Sequence, residues 1–206
     1  MSSTDAANIE SLVDRASAGD QQALADVFGQ FRPRLRKMIA FRMDRKLQGR
    51  VDPSDVLQES FLALSEKLPE FPQRKMSLFV WVRLVTMERL MRIHRTHITT
   101  QKRDARRDLS IDRQLGTDAT SMSIAIGLLD NATSVAGKVA KQEQQAALIE
   151  LLEEMDPIDR EIVALRIFEG LNNGEAAETL ELTKQTASKR FLRAMQRLRE
   201  SMLEIP

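Results

Sequence analysis

Polar and apolar positions in residues 52–68, DPSDVLQESFLALSEKL, repeat at helical steps. Leu57, Phe61, Leu64 and Leu68 stand at i, i+4, i+7 and i+11, the buried stripe of an amphipathic helix. Asp52 precedes the stripe as a cap and Pro53 suits the first helical position. Asp55 falls in the first turn, where the helix dipole favours acid. Asp55, Glu59, Leu62 and Glu66 recur on the opposite face. Upstream, Leu35, Met38, Ile39 and Met43 predict the buried side of another helix. The eight basic residues between Arg32 and Arg50 then read as its wet face and carry no specific function. Downstream, SLFVWVRLVTMERLMRIHR predicts a third helix, with Trp81 in the core among Val80, Val82, Leu84 and Val85.

The C-terminal pattern is different in kind. Past the breaks MDPIDR and EGLNNGE, a helix is predicted from about Gly174 to Leu180. Thr183 then caps a second helix, whose Ala187, Phe191, Ala194 or Met195, Leu198 and Met202 form one apolar stripe. Small Ala176 and Ala177 permit the close crossing of a helix-turn-helix. Glu181 occupies the turn position that often holds glycine, so a strained backbone or an altered turn is expected there. Between the two regions the chain thins into Ser, Thr, Gly, Ala and Asp, with Gly116, Gly127 and Gly137. Within it, SIAIGLLD fits a short helix or a docking segment. With no period-two alternation and few β-branched runs, the chain is predicted all-α: helical domains over 8–107 and 143–206, joined by a flexible linker over 108–142.

Charge sharpens the picture. Thirty-one basic residues nearly cancel thirty acidic ones for a net charge of +1, so electrostatic partners must be sought in local blocks. Residues 182–198 carry five Lys or Arg and no carboxylate. Lys184, Gln185, Ser188 and Lys189 are early on the second helix, where such side chains reach base edges in a DNA major groove. Arg190, Arg193 and Arg197 are placed for phosphates or solvent. A second block, Arg83 to Arg107, follows Phe79 and Trp81 and has eight basic residues against Glu88 and Asp104. Arg89, Arg92, Arg95, Lys102 and Arg103 are its candidate contacts to strand-separated DNA. Leu62 within three carboxylates suits a basic partner helix, although a solvated acidic face fits the spacing equally.

Other chemistry is thinly represented. The absence of cysteine excludes disulfides and thiolate metal sites. His94 and His97 lack a third ligand, so no metal is expected; no phosphate loop or nucleophile elbow appears, so neither a cofactor nor an enzyme is expected. No long apolar run or signal segment is present, which predicts a cytoplasmic protein without a membrane partner.

Taken together, these residues resemble the extracytoplasmic-function (ECF) group of bacterial RNA polymerase sigma factors, especially the kind common in planctomycetes. DPSDVLQESFLAL is similar to conserved region two-point-two, and SLFVWVRLVTMERLMRIHR to regions two-point-three and two-point-four. The stretch from LLEEMDPIDR through LTKQTASKRFLRAMQRLRE is similar to region four. The resemblance implies a sigma factor that binds core RNA polymerase and directs promoter-specific initiation, with no catalytic residue of its own. Asp55, Gln58 and Glu59 would dock on the clamp helices of the largest subunit, with Leu62 as an anchor and Glu66 beside it. The basic segment after Trp81 would recognise and help melt the minus-ten element. The helix starting at Thr183 would read the minus-thirty-five element beside the flap of the second-largest subunit. An anti-sigma factor is a further implied partner. Glu88 stands where many members carry Asn, and Ser188 and Ala187 where Lys and Val are common, so the promoter sequence is expected to be particular to this chain. The alternatives are a stand-alone helix-turn-helix regulator, which would dimerise to span two half-sites, and an adaptor that holds a partner without touching DNA.

Overall fold

A computed structural model describes residues 9, 11–16, 18–44, 47, 49–73, 75–101, 121–131 and 138–204. All regular structure among the described residues is helical. The chain divides into two compact units, Met1–Arg107 and Asp108–Pro206.

In the first unit, α1 (Gln21–Arg42) starts at Asp20, whose carboxylate accepts the N–H groups of Gln22 and Ala23 at 3.0 Å each. Arg15 grips the same carboxylate at 2.6 Å. The Ala23 amide, then Arg15, hold the Asp20 carboxyl below its usual range. The second helix, α2 (Pro53–Lys67), begins as the sequence predicts: Asp52 accepts the Ser54 N–H at 2.7 Å and Pro53 opens the first turn. A 3-10 turn, Leu68–Gln73, leads towards α3 (Leu78–Gln101).

These three helices pack on one another. Leu57, Leu64 and Leu68 are buried, and half-buried Phe61 meets Phe28 edge-on at 5.3 Å. Phe31 meets Phe79 at 5.2 Å, and the Arg34 guanidinium covers the Phe79 ring at 3.5 Å. Trp81 is 4% exposed and lies 5.2 Å from Phe71, so the indole belongs to the core, as its apolar neighbours predict. Arg83, Thr86 and His94 are buried with it. Thr86 remains satisfied by donating to the Val82 carbonyl at 2.9 Å.

The second unit contains α4 (Ser121–Asn131), α5 (Lys138–Glu154), α6 (Pro157–Val163), α7 (Asn173–Thr179) and α8 (Lys184–Glu204). Thus a helix stands inside the span read as a linker, and another starts at Lys138, ahead of the predicted Glu143. Helix α4 packs on α5 and buries Ile124, Ala125 and Leu129. At Gly127 the Phe168 ring approaches so closely that a Cβ would lie 2.3 Å from its Cε1. Asp156 caps α6, which continues through a π-helical stretch, Ala164–Phe168, before Gly170 turns the chain at φ 70°. Helix α7 opens with a capping box in which Asn172 accepts the Glu175 N–H and Glu175 accepts the Asn172 N–H. Ile162, Ala177 and Ala187 form a core cluster where α6, α7 and α8 meet, flanked by Leu180 and Phe191. Ala176 and Ala177, the small residues read as permitting a close crossing, are both buried here. Glu181, in the turn, has φ 55°, so this side chain is held in the backbone region that glycine enters freely.

Candidate functional site

Three surfaces collect the residues singled out by sequence. On α2, the buried side consists of Val56, Leu57, Ser60, Ala63 and Leu64. Asp55, Gln58, Glu59, Leu62 and Glu66 are all exposed on the other sides. Leu62 is 63% exposed, leaving an apolar side chain in water amid carboxylates. A helix that buries one stripe so fully positions its outer stripe rigidly, since the two alternate on one backbone.

On α3, Arg92 and Arg95 are exposed and Arg89 is half-buried, whereas Arg83 points into the core. The count of basic residues therefore overstates the positive surface. Glu88 lies one turn before Arg92, and its carboxylate accepts from Lys67 Nζ of α2 at 2.7 Å. That ion pair joins the end of the acidic helix to the start of the basic face. Lys102 and Arg103 lie outside the described residues. Among those that are described, no group of three or more His, Cys, Asp or Glu could hold a metal ion.

The third surface belongs to α8. Lys184, Gln185, Lys189 and Arg193 are exposed and Ser188 is half-buried. Thr183 also faces solvent, but its hydroxyl caps the helix, accepting the Thr186 N–H at 3.1 Å. Asn173 at the start of α7 donates to the Lys184 carbonyl at 2.8 Å, fixing the first turn of α8 against its partner helix.

Arg190 departs from the expectation of a phosphate or solvent role. Its guanidinium bonds Asp159 at 2.7 Å and lies 3.4 Å from Asp156, so it clamps α8 to the start of α6. The hydrogen bond to Asp159, with both carboxylates nearby, raises its pKa further. Arg197 similarly lies 3.4 Å from Glu154. These acids are more than thirty residues upstream, beyond the reach of a helix-period reading. Leu192 was also missed: it is 63% exposed on α8 although it adjoins the buried stripe in sequence. The available signal was an apolar residue out of step with Phe191, Ala194 and Leu198.

Together, the helical units, the acidic helix and the basic helix-turn-helix define an all-α nucleic-acid-binding protein. The chain matches the family described as "ECF sigma factor" over residues 6–203, and it belongs to that family. It is a sigma factor, directing transcription initiation. The ECF RNA polymerase sigma factor BldN of Streptomyces coelicolor is 23% identical over 198 residues, covering 95% of this chain and 67% of that one. The structure of CnrH in complex with the cytosolic domain of CnrY shares the fold at a TM-score of 0.52 and 18% identity, covering 96% of this chain and 97% of that one. The sigma factor RpoE, in its co-crystal structure with the anti-sigma factor NepR from Bartonella quintana, is 16% identical at a TM-score of 0.42, covering 87% of this chain and 98% of that one. No helix among the described residues is long and apolar enough to cross a membrane.

Proposed function

We propose that the three surfaces divide the work of a sigma factor. The outer face of α2 docks on the clamp helices of the largest subunit of core RNA polymerase, through Asp55, Gln58, Glu59, Leu62 and Glu66. Arg89, Arg92 and Arg95 of α3, with Lys102 and Arg103 beyond, contact the minus-ten element as its strands separate. Thr183, Lys184, Gln185, Ser188, Lys189 and Arg193 form the reader of the minus-thirty-five element beside the flap of the second-largest subunit. The chain acts in the cytoplasm, without catalysis of its own, and an anti-sigma factor is a natural competitor for these faces.

The observation that carries this reading is Leu62, exposed among Asp55, Glu59 and Glu66 on a helix whose other side is buried. An apolar centre with an acidic rim complements a basic helix, and charge reversal converts attraction into repulsion. The test is co-elution of the purified chain with core RNA polymerase at moderate salt, beside Asp55→Lys/Glu59→Lys. The wild type is expected to co-elute and the variant to bind roughly tenfold more weakly or worse. Equal co-elution removes the docking assignment. No co-elution of either, with a stable dimer in sedimentation, supports the stand-alone regulator.

A further inference from the structure

We propose that Leu192 is a specificity-determining residue, packing its side chain on the C5-methyl group of a thymine in the upstream promoter element. This rests on the assignment of α8 as the reader of that element. Exposed single leucines are common, so exposure alone assigns nothing. The surroundings of Leu192 do. With about 3.6 residues per turn, Gln185, Ser188, Lys189, Met195, Gln196 and Arg199 lie on the same side of α8 as Leu192. The carboxylate bordering this face, Glu200, is engaged by Gln196, which donates to it at 2.8 Å. All of them but half-buried Met195 are donors or cations, suited to base edges and phosphates. In a major groove the apolar feature that such a face meets is the methyl group of thymine.

The comparison with Leu62 separates the two kinds of partner. Both leucines are 63% exposed. Leu62 stands among acids and suits a basic protein helix, whereas Leu192 stands among bases and amides and suits a polyanion. The apolar residues around Leu192, Phe191, Ala194, Met195 and Leu198, are buried or half-buried in α8. Leu192 is therefore the exposed apolar group in a stripe composed mainly of donors and cations.

The experiment uses holoenzyme assembled from core polymerase and the full chain. Duplexes selected by the wild type from a random pool provide the upstream element. Each thymine in it is then replaced by deoxyuridine, which deletes the methyl and keeps the pairing and hydrogen-bonding edge. At one or two thymines the wild type is expected to lose about fourfold in affinity, the scale of one buried methyl group. Leu192→Ala is expected to be indifferent to the same replacement, and Leu192→Met to keep part of it. Indifference of the wild type at every thymine overturns the proposal, as does an undiminished uracil penalty in Leu192→Ala. Loss of polymerase co-elution in Leu192→Ala would make this a protein contact and overturn it too. A Lys184→Ala/Lys189→Ala variant run in parallel keeps the failures apart. Wild-type affinity in that variant defeats the upstream-element reading, whereas weakened affinity with no methyl effect defeats only the role of Leu192.

Discussion

Asp52 shows how one side chain sets both a boundary and a pH dependence. The Ser54 backbone N–H, then the Ser54 side chain and the Arg36 charge, lower its pKa in the folded chain. The ionised cap therefore contributes stability above the unfolded value of about 3.9, and loses it as pH falls through the lower folded value. Asp52→Asn keeps an acceptor oxygen without a titrating group. In thermal melts followed by circular dichroism, the wild type is expected to gain on Asp52→Asn as pH rises from about 2 to about 7. A gap independent of pH contradicts this account. Such caps are legible because donor and acceptor are two or three residues apart. Arg190 was not, because Asp159 reaches it only after the helices have packed. Lys67 and Glu88 likewise meet only across α2 and α3.

At the scale of elements, Gly127 is the informative position. A glycine inside an exposed helix usually costs about 0.5–1 kcal/mol relative to alanine, so Gly→Ala normally stabilises. Here the added Cβ would press on Phe168, and Gly127→Ala is expected to destabilise the second unit by about 1–3 kcal/mol in denaturant unfolding. Stabilisation by this substitution would show that the ring yields freely. The apolar SIAIGLLD segment was recognisable as helical or docking, but its low charge and three nearby glycines favoured a linker in the sequence. What made it part of a folded unit is its packing on α5, together with the Phe168 ring about forty residues onward. Helices α2 and α8, by contrast, were readable because each carries both a cap and a period.

For the whole molecule the relevant quantity is a net charge of +1, too small to hold DNA by a uniform field. Binding must come from the local faces of the two units, and in the proposed reading polymerase presents both to one duplex. Linked contacts then act at high effective concentration, although neither is tight alone. The free chain is accordingly expected to bind promoter duplex weakly at about 0.15 M salt, and the holoenzyme firmly. In fluorescence titrations of holoenzyme over a salt series, Arg92→Ala and Arg193→Ala are each expected to reduce the slope of log affinity against log salt by about one. A slope unchanged by either substitution would remove that residue from the set of phosphate contacts.

The amino-acid sequence by itself determined the helical class, the caps of α2 and α8, the helix-turn-helix spacing and the side on which Leu62 emerges. Each depends on periods and hydrogen bonds that close within a few residues. Its likeness to sigma factors likewise rests on short contiguous motifs in order. Tertiary structure alone decided that α4 packs on α5 beneath Phe168, that Arg190 clamps α8 instead of waiting for a phosphate, that Glu88 is engaged by Lys67, and that Leu192 remains in water. Those outcomes depend on which distant side chains arrive beside one another, and helical periodicity fixes the direction of a side chain without naming what will stand opposite it.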